Sequence, residues 1–261
     1  MSVTLPERQA RERQFHDQAF ATGNDARQPA AKFYAVGHRA RGSYESALLE
    51  RAPGRQVLEY GCGPGSMAFP IARAGGSVVG IDISDVAIAQ ARARARAQHV
   101  DARFEVMDAE RLAFPSSSFD LICGRAILHH LDLARASAEL ARVLRPGGEA
   151  IFWEPLGHNP FINLYRRSTP AMRTVDEHPL LIGDLRAFRQ HFSGVQTQYF
   201  TLCPLLAVPF RSLPGFGPLN SALEAMDRVA FRFMPALGKF AWQVVIVLSG
   251  PTPAISRVRR A

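Results

Sequence analysis

The sequence predicts an α/β protein whose core is a parallel sheet with helices on both faces. Three observations carry that prediction. Between Gln56 and Trp153, short β-rich runs alternate with helical stretches of about 10 to 15 residues, the pattern of strand-helix-strand units. The first run gives way at once to a glycine-rich turn, "VLEYGCGPGS" at residues 57–66, where a strand hands over to a helix. A chain of 261 residues that is 47% hydrophobic and 21% charged can bury one large core.

Taken in order, residues 1–55 read as a cap of two helical segments separated by the loop "TGNDARQPA" at 22–30. The core, residues 56–155, holds five strands: "QVLEY" (56–60), "SVVGI" (77–81), "ARFEV" (102–106), "FDLICG" (119–124) and "EAIFWE" (149–154). Between them lie the helices "SMAFPIARAG" (66–75), "SDVAIAQARARARAQ" (84–98) and "LARASAELARVL" (133–144). Ser84 and Asp132 are the residue types that cap helix N-termini, and "RPGG" (145–148) reads as the stop of the third helix.

Residues 156–261 complete the fold. The stretch 157–180 is long, punctuated by proline and rich in ionisable groups, as functional loops are. "IGDLRAFRQHF" (182–192) reads as a helix, and "VQTQYFTL" (195–202) and "WQVVIVLSG" (242–250) as strands. Between those strands, residues 203–240 form an apolar helical insertion carrying Leu205, Leu206, Phe210, Leu213, Phe216, Phe231, Phe233 and Met234. Such a cap suits an apolar ligand or contact with a membrane surface, and equally the completion of a core.

The chain carries 31 Lys and Arg against 23 Asp and Glu, a formal net charge of +8. That excess favours solubility over nucleic-acid binding, because it is dispersed and no base-reading motif accompanies it. The densest run, "ARARARAQ" (91–98), places successive arginines on different sides of a helix as a solvated collar. Cys62, Cys123 and Cys203 are isolated thiols with neither disulfide nor zinc spacing, and no HxxxH pattern gathers ligands, so no metal is expected. No apolar run reaches the roughly 18 residues a membrane span needs, and the charged N-terminus lacks a signal-peptide core. The expectation is a cytoplasmic protein.

The glycines of Gly61-Cys62-Gly63-Pro64-Gly65 fall at spacing two and two, which departs from the dinucleotide fingerprint G-x-G-x-x-G. A phosphate cradle is therefore disfavoured. Asp82, ending the second strand about 20 residues on, is placed to accept from a ribose diol.

At this point "VLEYGCGPGS", "GIDIS", "VMDAERLAFPSSSFDLI", "LHHLD" and "VLRPGGEAIFWEP", in that order, resemble the class I S-adenosylmethionine-dependent methyltransferases. The likeness is to the small-molecule type 11 group, which includes the ubiquinone and menaquinone enzymes and methyltransferases of secondary metabolism. It covers about residues 55–155. It implies a Rossmann-like, seven-stranded mixed sheet of order 3-2-1-4-5-7-6 with the last strand antiparallel. It implies S-adenosyl-L-methionine as cofactor, with Glu59, Gly61, Gly63 and Gly65 at its methionine half and Asp82 on the ribose. Ile83, Met107 and Ala109 would flank the adenine, Asp108 would accept from its amino group, and Arg125 would lie near the methyl group. His130 occupies a position where the family often has histidine, more in keeping with a structural hydrogen bond than with chemistry.

Methyl transfer from a sulfonium needs alignment, and a base only when the nucleophile must lose a proton. Candidate bases beyond strands four and five are His129, Glu154 and His158, with a packing or strand-end role open for the first two. Arg166 and Arg167 could grip an anionic acceptor or pair with Asp176 and Glu177 to pin the loop, and His178 is a proton acceptor or an anchor. Phe15, His16 and Phe20 share a helical face that either folds over the cofactor or merely packs. The reading is a methyltransferase acting at oxygen or carbon of an apolar, aromatic or lipid-like small molecule. A catalytically silent binding protein of the same fold is the alternative; a nicotinamide oxidoreductase is disfavoured by the glycine spacing and the lack of a Tyr-x-x-x-Lys pair.

Overall fold

The structure is a computed structural model that describes residues 6–22, 31–170, 174 and 176–252. Seven strands form one sheet of order β3-β2-β1-β4-β5-β7-β6. They are β1 (Gln56–Tyr60), β2 (Ser77–Asp82), β3 (Ala102–Val106), β4 (Phe119–Arg125), β5 (Leu144–Pro155), β6 (Phe192–Phe200) and β7 (Gln243–Pro251). The first five pair in parallel, and β7 runs antiparallel to both β5 and β6. This is the sheet the resemblance implied.

The helices are α1 (Glu7–Ala21), α2 (Ala31–Tyr34), α3 (His38–Leu49), α4 (Ala68–Arg73), α5 (Asp85–Ala97), α6 (Leu133–Val143), α7 (Pro160–Ser168), α8 (Leu185–Arg189) and α9 (Phe216–Phe233). Strand β1, at the centre, is buried along four of its five residues, which is why it reads as a continuous apolar run. Successive side chains enter opposite cores. Val57, Leu121, Ile151 and Val245 meet α3, α4 and α5 through Tyr44, Leu48, Ile71 and Ile88. Leu58, Ile122, Phe152 and Ile246 face the other core, with Leu140 of α6 and Phe188 of α8. Sheet and helices therefore form three layers.

Both expected caps are present: Ser84 accepts from Ala87 N and Asp132 from Ala134 N and Arg135 N. Four details correct the sequence reading. The described part of the N-terminal region holds three helices instead of two, and residues 23–30 of the expected loop lie outside the described residues. "RPGG" belongs to β5, which begins at Leu144 opposite Phe119 and resumes at Glu149 opposite Leu121 after an irregularity. The stretch 157–180 contains α7, with Asn159 capping Phe161 N and Ile162 N and Pro160 in the first turn. In the arginine run, Arg92 donates to Phe104 O and Arg94 to Pro64 O, so two of its members clamp the backbone.

Between β6 and β7 the chain forms a helical cap: a 3-10 segment (Cys203–Phe210), α9, and a second 3-10 segment (Pro235–Phe240). Cys62 and Cys123 are buried free thiols, and Cys203 is half-buried and also free. No helix among the described residues is long and apolar enough to cross a membrane.

Candidate active site

A cavity of about 710 Å³ opens at the carboxyl ends of β1, β2 and β4, the edge where open parallel sheets hold ligands. Its floor is the turn after β1. Gly61 has φ 67°, and a Cβ there would stand 2.7 Å from the Ile127 side chain, so only glycine lets β1 turn so close to the segment after β4. Gly63, at φ 53°, donates its N–H to Asp82 Oδ2 at 2.8 Å. Gly61, Gly63 and Gly65 all line the cavity.

Glu59 does not. Its Oε1 accepts from Met67 N at 2.7 Å and from the Ser66 hydroxyl, and its Oε2 accepts from Ala68 N at 2.8 Å. It holds the start of α4 from beneath the turn, and burial pushes its carboxyl above the ordinary value. Its expected place beside the ligand is corrected to a supporting one.

Asp82 lines the cavity and anchors two loops at once, taking Gly63 N on one oxygen and Ser84 N on the other at 2.9 Å. Burial pushes its carboxyl up, against the backbone N–H groups that favour its charge. A carboxylate accepting one bond per oxygen retains acceptor capacity for a diol. Ile83, Met107, Asp108 and Ala109 form the adjoining wall, where Asp108 Oδ1 accepts from Glu110 N at 2.9 Å. These groups fit S-adenosylmethionine: the glycine turn leaves space without a phosphate nest, and Asp82 and Asp108 are acceptors of the kind its hydroxyl and amino groups require.

The roof is α1. Arg8, Gln9, Glu12, Phe15, His16, Ala19 and Phe20 all line the cavity, so the face that carries Phe15, His16 and Phe20 looks into it. Arg8 pairs with Glu110, Gln9 Nε2 donates to Glu110 Oε2 at 3.1 Å, and Arg11 Nε donates to Asp176 Oδ2 at 2.8 Å. Asp176 is thereby engaged by Arg11 of α1, not by the arginines of α7, which was one of the two roles left open for them.

The far wall carries two linked His–carboxylate pairs. His129 Nδ1 lies 2.7 Å from Glu154 Oε2, while Glu154 Oε1 accepts from Ile127 N at 2.8 Å and Leu128 N at 2.9 Å. Glu154 is completely buried behind the cavity wall, and burial pushes its carboxyl up to about 7. His129 itself lines the cavity, and its Nε2 is 3.8 Å from Glu177 Oε1.

His130 Nδ1 lies 3.1 Å from Glu12 Oε2, although neither of its ring nitrogens makes an aligned hydrogen bond. Burial and the neighbouring His129 push the His130 imidazole below its ordinary value. Burial opposes the charge on Glu12, yet His130 and His16 hold it well below the usual carboxylate range. Donor atoms of Glu12, His16 and His130 lie within 4.8 Å of one another, as do those of His129, His130 and Glu177. The fold thus gathers what no sequence spacing did, and His–carboxylate pairing accounts for the proximity.

The outer end is aromatic. Phe33 stands 4.7 Å from Tyr165 and 5.8 Å from Trp242 between ring centroids, with Tyr34 at 5.3 Å from Trp242. Arg125 lines the cavity with its guanidinium 5.8 Å from the Trp153 ring centre. Arg166 lines it too, donating from Nη1 to Leu156 O and Asn163 Oδ1, both at 2.9 Å.

Besides Glu59 and Glu154, three further predicted residues stand outside the cavity wall. His158 Nε2 accepts from Ile182 N at 3.1 Å as a loop anchor. Arg167 is exposed on α7, and His178 is exposed with its backbone N–H on His129 O at 3.1 Å. Sequence reasoning missed Glu12, Phe33, Tyr34, Tyr165 and Trp242. Only the first left a signal, standing one helical turn before His16.

Residues 57–148 match the family model described as a methyltransferase domain. The chain is 38% identical over 96 residues to the ubiquinone biosynthesis O-methyltransferase of Rhizobium etli (strain CIAT 652), covering 36% of this chain and 39% of that one. It is 39% identical over 107 residues to the 27-O-demethylrifamycin SV methyltransferase of Amycolatopsis mediterranei (strain S699), covering 40% of this chain and 39% of that one. The chain thus spans about two fifths of the length of these relatives. Among solved structures it superposes on the cyclase SpnF with a TM-score of 0.60 at 18% identity, covering 97% of this chain and 100% of the other, a likeness of fold alone. Residues 57–148 are thus a methyltransferase domain, carried on a sheet of order β3-β2-β1-β4-β5-β7-β6.

Proposed function

We propose that the whole protein transfers a methyl group from S-adenosylmethionine to oxygen or carbon of an apolar, aromatic or lipid-like small molecule, working at or near a membrane surface. The observation that carries this reading is one continuous cavity with a polar floor and an aromatic end, His129 standing on its wall. In this proposal Asp82 binds the ribose, Asp108 the adenine amino group, and Ile83, Met107 and Ala109 the ring. The turn from Gly61 to Gly65, with Arg125 and His130 opposite, encloses the methionine end. When bound, S-adenosylmethionine supplies a methyl group on a sulfonium leaving group.

The chain's own residues would do three things. The α1 roof excludes water. The Phe33, Tyr165 and Trp242 rings present flat apolar surface to the acceptor, and Arg166 offers a cation at the same end. His129, its Nδ1–H donated to Glu154, keeps the lone pair on Nε2 and can take the proton of an acceptor hydroxyl. Residues 1–55 act in this scheme as the lid, 56–155 as the cofactor-binding core, and 156–261 as the acceptor side.

Isothermal titration with S-adenosylmethionine and S-adenosylhomocysteine, with NADH as control, tests the cofactor. Turnover with phenols, quinones and lipid-like acceptors tests the transfer. Tight binding of the first two ligands and methylated product are expected. Binding of NADH in their place would refute the reading.

A further inference from the structure

Helix α9 is amphipathic the wrong way round for a simple cap. Its inward face buries Asn220 and Asp227, and Asp227 accepts from Leu202 N at 2.9 Å and Cys203 N at 2.8 Å. Its outward face is apolar. Leu219, Ala222, Met226, Val229 and Phe233 are all exposed, the last at 74%. Their spacing of three and four residues confines them to about a quarter of the helix circumference. The neighbouring segment adds exposed Leu206, Phe210 and Leu213, and α7 adds Phe161 at 72%.

The charges beside this stripe are of one sign. Arg228 and Arg232 flank it, and Arg211 and Lys239 are exposed at the two ends of the insertion. The two acids of residues 203–240 turn inward: Asp227 is buried, and Glu224 is half-buried, within hydrogen-bond distance of Asn220. Arg39, Arg228 and Arg232 line a cleft of about 570 Å³ between α9 and the edge strand β6, with Glu224 and Asp227 at its inner side. Among the described residues no hydrogen bond or close ion pair holds these three arginines, although the charges of Arg39 and Arg228 act on Glu224 in the same cleft, leaving Arg232 and Arg228 as the cations beside the stripe.

We propose that the outer face of α9 docks on an anionic lipid surface, its apolar stripe entering the interface while Arg228 and Arg232 take lipid phosphates. This rests on the membrane contact proposed above, and it names the face and the lipid charge. The argument is charge complementarity. Two copies meeting through this stripe would bring like-charged rims together, which is unfavourable, whereas an anionic bilayer answers both the apolar stripe and its cationic border. Asn159 Nδ2 donates to Phe240 O at 2.7 Å, tying the insertion to α7, whose Ile162, Tyr165 and Arg166 line the main cavity. A docked cap would thus hold the acceptor end of the cavity near the lipid from which an apolar acceptor could enter.

The test is sedimentation of the full chain with vesicles of phosphatidylcholine alone, and with about a third phosphatidylglycerol, at low and high salt. Two double variants accompany it: Met226→Glu with Phe233→Glu, and Arg228→Glu with Arg232→Glu. Binding to the anionic vesicles is expected, weakened about tenfold or more in each variant and by high salt, with unchanged circular dichroism and S-adenosylmethionine affinity. Absence of vesicle binding, or binding by either variant as tight as that of the wild type, would overturn it. So would a dimer that the Phe233 variant dissociates, or inorganic phosphate binding to the arginine cleft without any binding to vesicles. Lost cofactor binding with vesicle binding intact would instead sink the methyltransferase reading and leave this one standing.

Discussion

His129 Nδ1 and Glu154 Oε2 lie 2.7 Å apart, and the other oxygen of Glu154 is taken by Ile127 N and Leu128 N, so the acid has one orientation and, while it is ionised, accepts the proton of His129 Nδ1 and leaves Nε2 with its lone pair. Replacing Glu154 by Gln reverses that tautomer. The amide oxygen would keep the two backbone N–H groups and the amide nitrogen would donate to Nδ1, leaving the proton on Nε2. Methyl transfer to an acceptor that must lose a proton should then fall roughly 10²-fold or more in kcat, with S-adenosylmethionine affinity unchanged. Steady-state kinetics beside calorimetric titration checks this; an unaltered kcat would remove His129 from proton transfer.

The same acid gives stability a pH dependence. The ordinary carboxyl value is 4.5, and burial raises that of Glu154 in the folded state to about 7. The native state therefore holds a proton that the unfolded chain releases. This stabilisation is complete below about 4.5 and is lost as pH rises to about 7, an effect on the order of 3 kcal/mol. Relative to the Glu154→Gln variant, the wild type should lose urea-unfolding free energy between pH 4.5 and 7 and hold level above it. A constant difference across that range would show that Glu154 ionises like an exposed acid.

Asp82 joins the glycine turn to the start of α5 through Gly63 N and Ser84 N, so its substitutions separate binding from folding. Asp82→Asn keeps an acceptor for one of the two loops and removes the charge. It should weaken S-adenosylmethionine about 10-fold to 10²-fold, because each hydrogen bond to a charged group contributes about 1.5–3 kcal/mol. Asp82→Ala should abolish binding. Titration with circular dichroism as the folding control measures both, and undiminished affinity in a native-like Asp82→Ala would overturn the ribose assignment.

Arg166 and Arg167 are adjacent in sequence and differ in setting. Arg166 faces the cavity and Arg167 the solvent. Arg166→Ala should raise the acceptor KM about tenfold or more with little change in cofactor Kd, as loss of a charged contact does. Arg167→Ala should leave both within about twofold, as surface substitutions do. Loss of stability alone in the Arg166 variant would assign its bonds to Leu156 O and Asn163 Oδ1 the whole of its role.

The sheet was legible because each buried parallel strand is a short apolar run closed by a turn, and the order of the strands came with the motif resemblance. What escaped was local or long-range in specific ways. Helix α7 hid in a stretch that reads as loop, yet "NP" at Asn159 and Pro160 is a helix-start pair, with a capping side chain followed by a residue lacking the N–H a first turn leaves unpaired. The glycines and Asp82 were visible because one turn carries them. The contact of Glu12 with His130 joins residues distant in sequence, and the aromatic wall draws on α2, α7 and the lead-in to β7; no periodicity reports such a meeting.

Glu59 carries the last prediction, since its position was read correctly as adjacent to the turn and its role was not. A ligand-contacting acid would be stabilised by the ligand, whereas this one accepts Met67 N, Ala68 N and the Ser66 hydroxyl from within the protein. Truncation to Ala leaves those buried donors unpaired, which should lower unfolding free energy by about 2–4 kcal/mol. Gln keeps one acceptor oxygen and should lose roughly half as much. The cofactor should bind Glu59→Gln only slightly less tightly, because the turn survives and the replaced carboxylate stands outside the cavity wall. Denaturant unfolding paired with titration separates the roles: a stable Glu59→Gln protein that cannot bind S-adenosylmethionine would return this residue to the ligand, and a destabilised one that still binds would confirm it as the support beneath the glycine turn.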